Sequence, residues 1–591
     1  MKKEKAIQSE GNKFDFIVLK RLIKFIKPYK KQFFLLLFIS LSSGIIPSII
    51  PLLIRETIKN PIANKDYPLL MIMLCIMLGV LLVQGIIQYI NTYLAGWIGQ
   101  HVIKDIRVEL YKHISKLSLS FFDKTPIGRL VTRNISDVES LSEVFSQGLA
   151  QILSEILQLI FIVIVMFWMN WRLALIGLSM FPFMLISTYV FKEKIKSSFS
   201  EVRAAVANLN TFVQERITGM SIVQIFNTES REYQKFFDIN QEHKTAHLKS
   251  VKYYSIYFPV VEVIGALGIG ILVWIGAKGV FIGWANGPED LIAFIMLINM
   301  FFRPLRMIAD RFNTIQMGLI STQRILLLLD STEKIMTEGN LKADCLEGDV
   351  VFKDVWFAYN LDEYVLKSLS FSVSKGDTIA FVGATGAGKS SIISLLNRFY
   401  EINKGEILLD NQKIEAYQLS SLRRNIGVVL QEVFLFSNSV RYNITLGDET
   451  ITENQIWEAA RSVGAEEFLL KLPGQLDYQV QERGASLSMG QRQLISFIRV
   501  MVYNPKILVL DEATSSIDSE TEQLIQVAIE KLMFGRTSLV IAHRLSTIQQ
   551  ASKIIVLDKG AILEQGTHKA LLEKRGAYFN LYNIQYKPQE Q

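Results

Sequence analysis

Residues 33–54 form a run of 22 amino acids without one charge. No other feature limits the chain so strongly. A helix crossing the hydrocarbon core of a bilayer takes about 20 mostly apolar residues, whereas a helix on a soluble surface keeps a polar face. Five further stretches follow. Residues 69–90 are interrupted only by Gln84 and Gln88, 152–169 contain Glu155, 173–191 carry no charge, and 256–277 are apolar apart from Glu262. Residues 291–302 continue through Arg303-Pro304-Leu305-Arg306. All six candidate spans lie in the first 330 of 591 residues, and the remainder reads as soluble protein. This uneven distribution explains why only 20% of the chain is charged, against about 25% in soluble domains. Disorder, collagen, coiled coil and a disulfide-stapled secreted domain are excluded. The two cysteines, Cys75 and Cys345, form neither a disulfide framework nor a metal site. His101, His113, His243, His247 and His568 show no ligand spacing.

Connections between the spans alternate in length. Only Asn170-Trp171-Arg172 separates the third span from the fourth, whereas 95–144 and 192–254 are long, charged and helically spaced. Ten of the first 31 residues are Lys or Arg, against Glu4, Glu10 and Asp15. Basic flanks stay on the cytoplasmic side, so the N-terminus, the long connections and the soluble half are expected there. The net charge of +7 is therefore read as membrane topology and not as nucleic-acid binding. Residues 14–27 read as an amphipathic helix lying on the membrane surface. No cleavable signal peptide is expected.

The soluble half carries a sharper pattern. Gly383-Ala384-Thr385-Gly386-Ala387-Gly388-Lys389-Ser390-Ser391 follows a strand-like run at 377–382 and precedes a helical one at 391–400. Glycines at that spacing let backbone N–H groups close around phosphate oxygens. Lys389 is placed to reach the β- and γ-phosphates, the Ser390 hydroxyl can ligate Mg²⁺, and the helix N-terminus adds positive potential. A second apolar strand, Lys506-Ile507-Leu508-Val509-Leu510, ends in Asp511 and Glu512. The first carboxylate suits Mg²⁺ and the second suits polarising an attacking water.

Leu487-Ser488-Met489-Gly490-Gln491, 20 residues before Asp511, resembles the signature of ATP-binding cassette (ABC) proteins, with Met489 in place of the usual first glycine. The family's other marks stand around it in order. Tyr359 matches the aromatic that stacks on adenine, Gln431 the Q-loop, and Glu482-Arg483-Gly484 the loop before the signature in exporters. Ser515-Ser516-Ile517-Asp518 matches the D-loop and His543 the switch histidine. Six spans followed by one cassette resemble an exporter half-transporter of the type IV fold. The resemblance implies a helical membrane domain followed by an α/β phosphate-loop ATPase domain. Its expected boundaries are 1–32 for the N-terminal segment, 33–329 for the membrane domain, 330–347 for a linker and 348–591 for the cassette.

By the same resemblance the cofactors are ATP and Mg²⁺, with Ser390, Gln431 and Asp511 around the metal. Glu512, His543 and Gln431 carry catalysis, and the signature acts in trans on a second cassette. The partner is a second half-transporter. A homodimer is favoured because one chain holds every catalytic type, and Met489 keeps a heterodimer open. The substrate is an amphipathic drug or lipid, moved outward or, on the same frame, inward. Glu262, Arg303 and Arg306 are the candidate cavity residues. An acid there favours cationic cargo and arginines favour anionic lipid. Glu155 serves structure or binding. A multi-pass protein of a bacterial cell membrane is expected, in contact with lipid and not with nucleic acid. The segments at 121–130 and 215–220 resemble the family's coupling regions.

Overall fold

The computed structural model describes residues 21, 24–144, 150–333, 339–344, 346–360, 363–511, 519–542 and 544–585. They form two compact units. One holds residues up to 115 together with 127–331; the other holds Lys116–Pro126 and 332 onward.

Among the described residues, the first unit is built of helices and contains no strand. Helix α1 (Lys30–Ile45) and α2 (Ile49–Thr57) carry the first apolar run, joined by a 3-10 turn at Ile46–Ser48 that contains Pro47. The other apolar runs lie on α3 (Tyr67–Ile114), α4 (Ala150–Met169), α5 (Trp171–Leu178), α6 (Phe181–Thr218), α7 (Glu229–Ile282) and α8 (Pro288–Leu329). Each of the six apolar stretches falls on one or two of these helices. Among the described residues, four helical stretches are long and apolar enough to cross a membrane: Lys24–Ile62, Tyr67–Ile114, Trp171–Thr218 and Glu229–Ile282. Much of each charged connection continues a spanning helix, α3 to Ile114, α6 to Thr218 and α7 from Glu229, while Leu119–Lys124, Ile127–Thr132, Val138–Glu143 and Met220–Ile225 form short helices of their own. At 1.5 Å rise per residue, the 54-residue α7 extends about 80 Å, far beyond a hydrocarbon core of about 30 Å. The same helix that crosses lipid therefore continues into water.

Local chemistry sets the ends. Asp66 caps α3 by accepting from the Leu69 amide. Asn170 accepts from the amides of Arg172 and Leu173, so the shortest connection is one capping residue rather than a loop. Gly283 ends α7 in the left-handed conformation. The core of this unit gathers Ile162, Met166, Leu173, Leu272, Phe294, Leu297 and Ile298. Several polar groups in this unit are paired between helices, which spares them from meeting lipid unpaired. Ser40 donates to Asn91 (2.8 Å) and Ser43 meets Ser154 (2.8 Å). Asp290, fully buried in the first turn of α8, accepts from Arg55 (2.5 Å) and Asn286 (2.9 Å). Of the expected surface helix at 14–27, residues 14–20, 22 and 23 lie outside the described residues. Arg21 pairs with Asp330 through two hydrogen bonds of 2.6 and 2.7 Å, which hold that carboxyl below its ordinary pKa.

The second unit stacks two sheets. Strands β1 (Val350–Phe357), β2 (Leu366–Val373), β4 (Lys404–Leu409) and β5 (Gln412–Lys413) form an antiparallel sheet in the order β2-β1-β4-β5. Strands β3 (Thr378–Val382), β6 (Ile426–Val429), β7 (Ile507–Asp511), β8 (Thr537–Ile541), β9 (Lys553–Asp558) and β10 (Ala561–Gly566) order as β10-β9-β3-β8-β7-β6. All but β10 run parallel. The segment expected as a linker is partly built into this unit. Ala343 and Leu346 are buried, and the Asp410 carboxylate accepts from the amides of Glu347, Gly348 and Asp349.

Candidate nucleotide-binding site

The sheet order creates the site. Strand β8 pairs with β3 on one side and β7 on the other, with Ile541 level with both Phe381 and Asp511. The carboxyl ends of β3, β8 and β7 thus lie side by side at one edge of a parallel sheet, where ligands bind in such folds.

The loop after β3 runs from Gly383 to Gly388 and enters helix α9 (Lys389–Leu396). It is curled tightly. Gly386 and Gly388 have φ of +83° and +99°, a region open to glycine at little cost. At Gly383 the limit is space: a Cβ there would lie 2.2 Å from the Leu557 carbonyl oxygen of β9. Lys389 is buried and donates its ammonium protons to the carbonyls of Gly383 (2.7 Å) and Ala384 (3.0 Å). The loop is therefore wrapped around its own lysine, whose remaining donor is the one a phosphate oxygen would take. Burial lowers the Lys389 pKa, and the Asp511 carboxylate offsets part of that shift. Ser390 is exposed in the first turn and Asp511 is half-buried at the end of β7.

Tyr359, just past β1, reaches the same helix. Its hydroxyl lies 3.0 Å from the Ser391 hydroxyl. The signature forms a second small structure. Ser488 caps helix α10 (Met489–Tyr503), accepting from the Gln491 amide, while the Gln491 side chain accepts from the Ser488 amide. This is a capping box. Leu487 and Gly490 are buried and Met489 is half-buried, so Met489 occupies the first helical position without displacing the cap.

Two family descriptions match this arrangement: "ABC transporter transmembrane region" over residues 33–305 and "ABC transporter" over 366–515. The chain belongs to the ABC transporters. Its architecture is a helical membrane domain followed by an ATP-binding cassette, and its activity is ATP hydrolysis coupled to transport. It is a multi-pass membrane protein. With one cassette it is a half-transporter, which works as a pair. It is 39% identical to a putative ABC transporter ATP-binding protein of Streptococcus pneumoniae, over 96% of this chain and 97% of that one. It is 35% identical to the ATP-dependent lipid A-core flippase of Syntrophus aciditrophicus, over 98% and 96%. A putative multidrug export ATP-binding/permease protein of Bacillus subtilis is 36% identical over 96% and 99%.

The transporter's other anticipated residues are spread more widely. Gln431 is exposed in the turn after β6. Glu512, Ser515, Ser516, Ile517, Asp518 and His543 lie outside the described residues, although the strands that lead to Glu512 and His543 are adjacent. Glu262 and Arg303 are exposed, Glu155 is half-buried, and the side chain of Arg306 lies outside the described set. Of the glycines near Glu262, Gly265 and Gly268 are buried against neighbours, whereas Gly270 has open space. Sequence reasoning missed the capping box, although a serine three residues before a glutamine is its written sign. It also missed Tyr400, for which no sequence signal existed.

Proposed function

We propose that this transporter exports or flips an amphipathic molecule, working as a homodimer with two ATP molecules sandwiched between its cassettes. The observation that carries the reading is Lys389, buried and held by the carbonyls of its own loop, on a chain that also presents an intact signature cap at Ser488. One polypeptide thus supplies both halves of a composite site. Likeness over nearly the full length to relatives named as multidrug exporter and lipid A-core flippase supports export.

Ser390, Gln431 and Asp511 offer hydroxyl, amide and carboxylate oxygens, the donor types Mg²⁺ prefers. Bound there, Mg²⁺ would neutralise charge on the phosphates. Lys389 binds the same phosphates, Glu512 takes the proton of the attacking water, and His543 holds the γ-phosphate and the base. ATP binding closes the cassettes and opens the membrane cavity outward; hydrolysis resets them. The N-terminus and cassettes face the cytoplasm of a bacterial cell. The turns of α7 that follow Glu262 line an apolar cleft of about 370 Å³ with Val263, Ala266, Leu267, Gly270, Ile271 and Trp274. A carboxylate beside apolar surface suits a cationic amphiphile.

The test is the chain expressed alone and reconstituted in vesicles. It hydrolyses ATP, Glu512→Gln abolishes turnover while ATP still binds, and Glu262→Gln lowers stimulation by a cationic amphiphile. Hydrolysis that appears only with a second, different chain overturns the homodimer. Stimulation by anionic lipid alone, indifferent to Glu262, moves the cargo to lipid and attention to Arg303 and Arg306.

A further inference from the structure

We propose that Tyr400, together with the hydroxyl bond from Tyr359 to Ser391, holds the Tyr359 ring as a preformed platform for the nucleotide base. Tyr400 and Ser391 act here as positioning residues. The inference rests on the reading of the Gly383–Ser391 loop as the ATP site.

Tyr359 is 40% exposed, yet it is held at three points. Its ring meets Phe357 edge-on, with centroids 4.7 Å apart and planes at 77°. It meets Tyr400 at 5.0 Å and 89°. Phe357 and Tyr400 touch each other at 5.6 Å and 63°, so the three rings close a triangle of edge-to-face contacts, the favoured geometry for aromatic pairs. The third point is the hydroxyl, 3.0 Å from that of Ser391. Phe357 and Ser391 are both buried, which fixes the supports as well as the ring. Tyr400 arrives from the far end of the segment that begins with the phosphate loop: α9 ends at Leu396, and Tyr400 lies four residues beyond.

A tyrosine this exposed normally samples several rotamers and surrenders that freedom when a base stacks on it. Holding one such side chain in advance improves affinity by about three- to tenfold. The hydroxyl bond adds a second consequence. Ser391 stands two residues after Lys389 on the same helix, so the surface that meets the base and the loop that meets the phosphates belong to one rigid piece. Base and triphosphate are then located together, and neither half of the nucleotide has to order its own site.

The experiment compares ATP with inorganic tripolyphosphate, which has the phosphates and no base, by calorimetry on the full chain in detergent. Tyr400→Ala weakens ATP binding about three- to tenfold and leaves tripolyphosphate unchanged, and Tyr400→Phe restores ATP. Tyr359→Phe, which removes only the hydroxyl, weakens ATP by a smaller factor and also spares tripolyphosphate. If Tyr400→Ala does not fold, Tyr400→Leu keeps the packing and removes the ring edge, with the same expectation. Equal weakening of both ligands, or of neither, overturns the platform while leaving the ATP site standing. A wild-type chain that binds neither ligand overturns the ATP site, and the platform with it.

Discussion

Gly383 is the position where a single methyl group separates two explanations of a glycine-rich phosphate loop. If the glycines merely permit unusual backbone angles, Ala at any of them costs conformational strain of about 1–2 kcal/mol. The structure assigns Gly383 a harder limit. Its added Cβ would stand 2.2 Å from the Leu557 carbonyl oxygen, a backbone atom of β9 that cannot rotate away. Reaching even the 3.0 Å floor of real Cβ contacts moves loop or strand by about 0.8 Å, and overpacking of this kind costs about 1–3 kcal/mol. The displaced groups are the amides that must meet phosphate oxygens and the carbonyl that holds Lys389. A misplacement near 1 Å costs about 10²-fold in catalysis, and a loss of similar size is expected in ATP affinity. Gly376 is the control: its φ is +81° and no atom lies within 4 Å of an added Cβ. Gly376→Ala is therefore expected to lower thermal stability by a strain-sized amount and leave ATP affinity intact. Gly383→Ala is expected to weaken ATP binding about 100-fold. Calorimetric ATP affinity and the melting temperature of the nucleotide-free protein give both quantities. Normal ATP affinity in Gly383→Ala, or equal losses in both variants, refutes the reasoning.

Two further outcomes follow from the site. Lys389→Ala removes a charge-assisted contact to phosphate and is expected to weaken ATP binding by about 10- to 100-fold; because burial already lowers the Lys389 pKa and phosphate favours its charged form, affinity in the wild type falls as pH rises through that lowered pKa, and an affinity that strengthens with pH contradicts this. Ser488→Asp keeps an N-cap oxygen for the Gln491 amide but adds negative charge to the signature, so stability is expected to hold while ATPase activity is lost, whereas Ser488→Ala loses about 1 kcal/mol of stability as well; unfolding curves and hydrolysis rates on the same preparations separate the two effects.

The reach of sequence reasoning followed the range of the interactions involved. Residues 33–54 announced a membrane helix because the bilayer acts on each residue independently, and a run of uncharged side chains is its own evidence. The loop from Gly383 to Ser391 announced phosphate binding because a backbone cradle is built from consecutive residues. The capping box at Ser488 and Gln491 was equally legible, since it closes within one helical turn. The charged stretches after the second and fourth spans were read as helical, but not as the same helices that cross the membrane. Hydropathy changes where water begins, whereas backbone hydrogen bonding continues regardless of solvent.

By itself, then, the sequence determined the division into a membrane half and a nucleotide half and the identities of the residues meant for phosphate, because both are written in contiguous residues whose chemistry needs no distant partner. Tertiary structure alone decided what those residues meet. Strand β8 comes after β7 in the chain yet inserts between it and β3, which sets Asp511 near Lys389. Tyr359, Ser391 and Tyr400 close on one another only because β1 lies beside the segment that follows the phosphate loop. Asp290 finds Arg55 across 235 residues, and Ala343 and Leu346, in a stretch that reads as a polar linker, are buried against the cassette. Such pairings depend on strand order and helix packing, which the whole chain settles together, and no local pattern of residues carries them.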